Sequence, residues 1–410
     1  MINKVQIADK AYWIGKVDDR KVPFHRLVLE KGTTYNSYFL DTDKPTIIDT
    51  VDIAFAGEWV KALAEMVDLK RLQYLVVNHV EPDHAGAVGS LMSKAKNAAI
   101  VTTEKGKEFL IGMFKLQNAK FIVIKDGDTL DIGGKTLKFL ETPYLHTEET
   151  MVTYSIEDKI LYPCDQFSTH IANYELFNDS AKEDITEDFK VYYSLIMHPH
   201  RPYVKDMLTK IKRLDIDMIA PSHGYILRDN ANKYIELYDE MSTLNTKKNL
   251  KALLLLSSMT GNTSKVAQSL AQGLNEMNIE NTVVNVKNAE METIIASAKE
   301  ADLILVGSST KYGDMIGNLE DVLKELTKLD LSGKFAAAFG SYGWSGEAIE
   351  VISDYLNSTN ATVLTTSYLI KSTGAEDIRL PLRVAFTPDE ASKNLCIRTA
   401  KAISEVLLRA

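Results

Sequence analysis

The sequence predicts an α/β protein of two domains, an αββα sandwich followed by a doubly wound sheet of five parallel strands. Three observations carry that prediction. All eight histidines, at positions 25, 79, 84, 146, 170, 198, 200 and 223, precede Gly224, so the two halves of the chain do different chemistry. The first half reads as short, mostly hairpin-connected strands with helices between groups of them, whereas the second alternates apolar strands with amphipathic helices. At roughly 150 residues per domain, 410 residues are enough for two cores.

Taken in order, residues 1–60 give strands at Ala11–Ile14, Phe24–Glu30, Tyr35–Leu40 and Thr46–Asp49, punctuated by Gly32, Asp41 and Asp43. A helix is expected over Ala54–Val67. Further strands are expected at Ala99–Thr102, Phe121–Ile124, Thr136–Glu141, Met151–Ile156 and Ile160–Pro163. The polar segment Asp239–Asn249 then separates a predicted helix from the apolar strand Lys251–Ser257. The junction falls near Lys248, giving domains 1–248 and 249–410.

Composition narrows the function classes. Lys and Arg number 47 against 56 Asp and Glu, a formal charge of −9 with no basic run, so the positive footprint of a nucleic-acid binder is missing. No apolar run approaches the ~20 residues that span a bilayer, and the start Met1-Ile2-Asn3-Lys4-Val5-Gln6 carries no apolar leader. A soluble cytoplasmic protein, without nucleic-acid or membrane partners, is expected. Cys164 and Cys396 are too few and too far apart for a disulfide framework, an all-thiolate metal site or a cysteine-ligated iron–sulfur cluster.

The richest stretch is Leu75-Val76-Val77-Asn78-His79-Val80-Glu81-Pro82-Asp83-His84-Ala85-Gly86. An apolar strand stops, and two imidazoles and two carboxylates follow within six residues. Without Lys or Arg among them, such groups call for a cation, and neutral His with ionised Asp and Glu suits iron, manganese or zinc. Three more polar residues stand where apolar strands end: His146, Asp165 after Ile160–Cys164, and His223 after Met218–Ser222. His79, Glu81, Asp83, His84, His146, Asp165 and His223 are enough for two metals sharing one carboxylate.

The second half opens with Leu253–Ser257, the turn Ser258-Met259-Thr260-Gly261-Asn262-Thr263 and a helix over Val266–Met277. Backbone N–H groups and hydroxyls at such a helix N-terminus bind phosphate. Because the turn has neither Gly-x-Gly-x-x-Gly nor a Gly-Lys-Ser/Thr ending, a mononucleotide fits better than a dinucleotide or a P-loop ligand. Strands at Thr282–Val286, Leu303–Ser308, Phe335–Ser341 and Val363–Ile370 alternate with helices near Glu290–Lys299, Leu319–Leu329, Gly346–Leu356 and Glu390–Leu408. Five parallel strands wound in this way make a flavodoxin-like fold, whose ligand sits outside the carboxyl ends of the strands.

These motifs together resemble known families. The N-terminal half is similar to the metallo-β-lactamase superfamily, with its loop His-x-His-x-Asp-His followed by His, Asp and His at strand ends. Here the second His of the loop is Glu81, which matches the flavodiiron protein family, as do Gly32-Thr33-Thr34-Tyr35-Asn36, Glu141-Thr142-Pro143 and Ala220-Pro221-Ser222-His223-Gly224. That resemblance covers nearly the whole chain. It implies that His79, Glu81, His146 and a bridging Asp165 hold one iron, and that Asp83, His84, Asp165 and His223 hold the other. It implies that His25, His170 and Tyr193 stand close to the metal pocket, and gives no counterpart for His198 and His200, which read as a solvated loop. Cys164 reads as a small core residue.

Ser258 to Thr263 resembles the FMN phosphate loop of flavodoxins. Ser309-Thr310-Lys311-Tyr312-Gly313-Asp314 and Ser341-Tyr342-Gly343-Trp344-Ser345-Gly346 occupy the places of the loops that hold the isoalloxazine, with Tyr312 and Trp344 as stacking rings. An attached electron carrier argues for iron, because zinc has no redox function. The resemblance therefore implies a gas reductase: two irons and one reduced FMN store the four electrons that take O2 to water, and two electrons couple two NO into N2O. It also implies a rubredoxin-like electron donor and a head-to-tail homodimer or a dimer of dimers. A dinuclear zinc hydrolase with a fused flavodoxin domain is the alternative reading of the same ligand loop.

Overall fold

The computed structural model describes residues 4–21, 23–24, 27–243 and 249–409. Contacts divide the chain into two units, Met1–Thr243 and Leu244–Ala410. The junction expected near Lys248 lies outside the described residues, as does His25. The strand expected over Phe24–Glu30 is described only as the short antiparallel pair Pro23–Phe24 and Leu27–Val28.

In the N-terminal unit a seven-stranded sheet runs Val5–Ala8, Ala11–Trp13, Tyr38–Leu40, Thr46–Ile48, Tyr74–Val76, Ala99–Thr102, Phe121–Val123. Its first four strands pair antiparallel and the rest join in parallel. A five-stranded sheet follows: Thr129–Asp131, Thr136–Glu141, Met151–Ser155, Ile160–Tyr162, Met218–Ile219, antiparallel except at the last pair. Successive strand residues point to opposite faces, and both sheets are apolar on both. Trp13, Tyr38, Leu40, Ile48 and Val76 of the first sheet share one core with Leu137, Phe139, Met151, Ile160 and Tyr162 of the second. Their alternates face outward. Phe39, Ile47 and Leu75 pack on helices Ala56–Met66, Val88–Lys94 and Glu104–Phe114, while Leu140, Val152 and Leu161 pack on Thr186–Tyr192, Arg201–Ile211 and Ala231–Met241. Helix, sheet, sheet, helix is the expected sandwich. Every candidate metal ligand lies beyond the carboxyl end of a strand.

The C-terminal unit has an all-parallel sheet in the order Glu280–Asn285, Lys251–Ser257, Leu303–Ser309, Phe335–Tyr342, Thr362–Val363. Leu254, Leu256, Leu305 and Phe339 face helices Asn262–Glu276 and Glu390–Arg409, and Leu253, Leu255, Ile304 and Val306 face Met291–Glu300, Leu319–Leu326 and Glu347–Asn357. The fifth strand differs from the expected Val363–Ile370. Residues Thr366–Thr373 are helical because the Thr365 hydroxyl accepts from the N–H of Tyr368 at 3.1 Å and caps them, and Gly374, at φ +71°, ends them. The free edge of Phe335–Tyr342 is covered at its start by Thr362–Val363 and at its end by Leu382–Ala385, so two short strands share the fifth position.

Phe139 is fully buried between the two sheets. Phe139→Ala should lower the stability of the N-terminal unit by about 3–5 kcal/mol in denaturant unfolding, with flavin binding in the other unit retained. A change under about 1 kcal/mol would contradict the inter-sheet core.

Candidate metal centre and flavin cleft

The ligand loop is fixed before it reaches its ligands. Beyond Tyr74–Val76, the backbone N–H and the Nδ2 of Asn78 each donate to buried Asp49 at 2.8 Å, and Thr153 Oγ1 donates to Asn78 Oδ1 at 2.7 Å. Pro82 then opens the short helix Pro82–Ala85, so Asp83 and His84 leave its first turn while Glu81 precedes it. At the far side, Gly224 follows His223 at φ +74°. A Cβ there would stand 1.9 Å from Thr169 Oγ1, which leaves glycine as the residue that fits.

The structure brings all seven candidate ligands together as two groups. In the first, Glu81 Oε2 lies 3.2 Å from His79 Nε2 and from His146 Nε2, and Asp165 Oδ2 lies 3.0 Å from His146 Nε2 and 3.7 Å from His79 Nε2. In the second, Asp83 Oδ2 lies 3.3 Å from both His84 Nε2 and His223 Nε2, and Asp165 Oδ1 lies 3.1 Å and 3.4 Å from the same two atoms. Asp165 thus turns one oxygen to each group. Glu81 is the most open member, its side chain 31% exposed, while those of the other six are 9% exposed or less.

Such crowding sets the charge states. Burial works against ionised carboxyls, yet the facing imidazoles hold Glu81, Asp83 and Asp165 below the usual carboxylate range. Burial also opposes charging of the imidazoles, and again the partners win. His79 is held well above its ordinary value by Glu149, Glu81 and Asp165, His146 is raised to about 9 by Asp165 and Glu81, and His223 to about 10 by Asp165 and Asp83. Without metal, protons therefore occupy nitrogens that converge on the carboxylates. Among the described residues, buried Asp83 Oδ1 and His84 Nε2 find no hydrogen-bond partner. Orphaned donor atoms, imidazoles and carboxylates in two convergent sets fit two borderline divalent cations.

Around the groups lie further residues that the sequence reading singled out. His170 Nδ1 is 3.0 Å from Thr33 Oγ1, its ring 5.0 Å from that of His223 and 4.8 Å from that of Tyr192. The tyrosine that reaches the site is Tyr192 rather than Tyr193. Tyr192 ends the helix Thr186–Tyr192 and its hydroxyl donates to Asp165 Oδ1 at 2.9 Å. Tyr193 is turned about 100° further round the helix, where its hydroxyl meets Ser242 Oγ at 2.6 Å against the Tyr238 ring. His200 also departs from the solvated-loop reading: it is fully buried, with its ring 6.3 Å from that of His146, because the turn His198–His200 runs straight into the helix Arg201–Ile211. His198 is exposed beside Arg201. Cys164 is buried, its Sγ accepting from Ser222 Oγ at 3.1 Å, and burial pushes its thiol well above the ordinary value. Sequence reasoning missed Asp49, Glu149 and Thr34, the last of which holds His223 Nδ1 on its carbonyl oxygen at 2.6 Å. The only signal for Glu149 was its place beside another glutamate in the turn after His146.

In the C-terminal unit the expected phosphate loop leaves Lys251–Ser257 through Gly261, at φ +84°, into the helix Asn262–Glu276. Ser258 Oγ accepts from the Gly261 N–H at 3.1 Å. Thr263 Oγ1 meets Ser309 Oγ at 2.9 Å and Ser341 Oγ at 2.8 Å, so hydroxyls from all three expected loops converge. A cleft above them is lined by Met259, Thr260, Asn262, Ser309, Thr310, Ser341, Tyr342, Gly343 and Phe386. Phe386 was not foreseen, because it follows the unpredicted strand Leu382–Ala385. At this cleft Thr310 Oγ1 is buried without a hydrogen bond among the described residues, as a site for a polar ligand would leave it. Lys311 and Asp314 close a tight turn, with positive φ at Tyr312 and Gly313, and Tyr312 stands out from it 94% exposed. Trp344 is 93% exposed on the third loop, ahead of Ser345 and of Gly346, which precedes the helix Glu347–Asn357. Both rings are open for stacking and neither lines the cleft.

Comparison with known proteins bears on both units. The family described as ODP family beta lactamase matches residues 34–224, and Flavodoxin matches residues 254–396. The anaerobic nitric oxide reductase flavorubredoxin of Vibrio vulnificus is 35% identical over 85% of this chain and 72% of its own length. Among solved structures, the flavodiiron protein of Giardia intestinalis is 28% identical at a TM-score of 0.59, covering 99% of this chain and 97% of its own. The rubredoxin oxygen:oxidoreductase of the anaerobe Desulfovibrio gigas is 27% identical at 0.58, covering 99% and 98%. A flavodoxin domain implies FMN, the family of these proteins carries a diiron site, and the residues present fit both. With a full-length match of this kind, and with the metal-type sandwich and the flavin-type sheet joined in one polypeptide, the chain belongs to the flavodiiron protein family.

Proposed function

We propose that the chain is a gas reductase, an oxidoreductase that reduces O2 to water, NO to N2O, or both, at two irons in residues 1–248 served by FMN in residues 249–410. The observation that carries this reading is Asp165, one oxygen 3.0 Å from His146 and the other 3.1 Å from His84. His79, Glu81 and His146 complete the set around Oδ2, and Asp83, His84 and His223 complete the set around Oδ1. When bound, the two irons and the reduced flavin supply the four electrons that take O2 to two waters, or the two that couple two NO into N2O and water.

The protein's own groups hold and orient. Tyr192 occupies a lone pair of Asp165 Oδ1 and so fixes the carboxylate's rotation about its stem. Thr33 Oγ1 lies within 3.0 Å of His170 Nδ1 and 3.4 Å of His223 Nδ1, linking that outer imidazole to a ligand. Glu81, the most exposed of the seven, marks the side from which a diatomic molecule enters. In the other unit, Ser258 to Thr263 takes the phosphate, and Ser309 to Gly313 with Ser341 to Gly346 take the isoalloxazine, Tyr312 and Trp344 supplying exposed rings.

Electrons come from a rubredoxin-like protein, and the working assembly is a head-to-tail homodimer or a dimer of such dimers, pairing each flavin with the partner copy's metals. Two aromatic rings exposed by more than nine-tenths beside the flavin cleft support a docked partner there. The protein works in the cytoplasm; among the described residues no helix is long and apolar enough to cross a membrane.

Asp165→Asn should lose at least one iron per chain and lower gas reduction by ~100-fold or more while FMN content stays unchanged. Full iron with normal turnover would sink the assignment, and wild-type protein that carries two zinc ions and hydrolyses an ester or amide would establish the hydrolase alternative instead. The flavin released on denaturation should be FMN, and chromatography that returned FAD would refute the mononucleotide site. In the metal-free protein, iron must displace protons from His146 and His223, whose pKa values lie at about 9 and about 10. Iron affinity should therefore fall as pH drops below about 9, roughly tenfold per unit for each proton displaced, in anaerobic titrations between pH 6.5 and 8.5. A flat profile would show that these imidazoles are not ligands.

A further inference from the structure

His79 is gripped from behind by a group that the ligand assignment does not use. Glu149 Oε1 lies 2.7 Å from His79 Nδ1, and both side chains are 1% exposed. Since a carboxylate only accepts, this contact keeps a proton on Nδ1 and turns Nε2 toward Glu81 and Asp165. The same oxygen accepts from the N–H of Val80 at 3.0 Å, so one carboxylate holds both the ring and the loop that carries it. Glu149 is itself anchored. Its backbone carbonyl accepts from Thr103 Oγ1 at 2.9 Å, and two residues on, the N–H of Met151 donates to the Asn78 carbonyl at 3.0 Å.

The second group is held differently. His223 Nδ1 donates to a neutral acceptor, the Thr34 carbonyl, at 2.6 Å, and His84 Nδ1 makes no hydrogen bond among the described residues. Of the contacts described at the Nδ1 atoms of these three imidazoles, the one from a carboxylate is the contact of Glu149 with His79. An anionic acceptor raises the basicity of a ligating imidazole, and a more basic ligand stabilises the higher oxidation state of the metal it holds.

We propose that Glu149 is a positioning residue that orients His79 and makes the two irons unequal, the one held by His79, Glu81 and His146 being the easier to oxidise. The inference rests on the ligand assignment given above. With Glu149 counted, four carboxylates, Glu81, Asp83, Glu149 and Asp165, face the four charges of two ferrous ions. Glu149 makes its direct contact on the His79 side.

The test uses the full-length protein loaded with 57Fe under anaerobic conditions, read by iron-binding titration and by Mössbauer spectra of the reduced and half-oxidised states, alongside Glu149→Gln and Glu149→Ala. Wild type should oxidise one iron ahead of the other. Glu149→Gln, which keeps an acceptor oxygen but no charge, should bind two irons whose order of oxidation is lost or reversed. Glu149→Ala should weaken one iron by ~10–100-fold and leave the other at wild-type affinity, with FMN content reporting that the chain has folded. Two irons at wild-type affinity in the Ala variant, or unaltered spectra in the Gln variant, would overturn the proposal; the Gln variant decides alone if the Ala variant does not fold. Iron retained in full by Asp165→Asn would instead overturn the ligand assignment, so the two failures are distinguishable.

Discussion

The N-terminal unit is organised by the sharing of one carboxylate. Asp165 turns Oδ2 toward His146 and Oδ1 toward His84 and His223, and without that sharing His79, Glu81 and His146 would have no common member with Asp83, His84 and His223. Three ionised carboxyls in so small a buried volume are tolerable in the absence of metal only because protons on His79, His146 and His223 balance them. Divalent cations replace those protons. The fold therefore holds three carboxylates whose charge protons on the imidazoles offset without metal and two divalent cations offset with it, and the surroundings of Asp165, with Tyr192 on one oxygen, keep the pattern in place when the protons leave.

Both units use the same geometric device. In the sandwich, Tyr74–Val76, Thr136–Glu141, Ile160–Tyr162 and Met218–Ile219 each give out just before a ligand or its loop, and in the parallel sheet Lys251–Ser257, Leu303–Ser309 and Phe335–Tyr342 do the same before the flavin loops. Strand alternation fills the faces with apolar side chains, so polar groups can gather only where strands end. The sandwich supplies carboxylates and imidazoles there. The parallel sheet supplies hydroxyls, backbone N–H groups and exposed rings, with Thr263 between Ser309 and Ser341 tying its three loops together.

This device is why so much could be read from the sequence. His146, Asp165 and His223 stood out because each interrupts an apolar run, and the loop from His79 to His84 because it concentrates ligands with no cation to balance them. What stayed hidden has a physical reason in each case. Tyr192 and Tyr193 are both plausible from sequence, and only the phase of the helix that ends at Tyr192 decides which ring faces Asp165. His200 looks like a loop residue beside two others that are polar, yet the turn that holds it is packed under the sandwich. Val363 to Ile370 is as apolar as a strand, and the Thr365 cap makes most of it a helix. Glu149 shares a turn with Glu148, and nothing local distinguishes the carboxylate that folds inward from the one that does not.

The loop position occupied by Glu81 then links the two units chemically. Where the metallo-β-lactamase signature has a second neutral imidazole, this chain has a carboxylate, 3.2 Å from both His79 Nε2 and His146 Nε2. Replacing a neutral donor by an anionic one adds a negative charge to the set and favours a harder, more highly charged ion, which means little to a zinc ion of fixed valence and much to iron that cycles between ferrous and ferric. Glu149 behind His79 pushes in the same direction on the same metal. An anionic bias of this kind suits a site to which electrons are delivered, and the flavin-type parallel sheet is the part of each chain that carries them. Ligand identity in one unit and the flavin cleft in the other are therefore two consequences of a single requirement, that the metals change oxidation state.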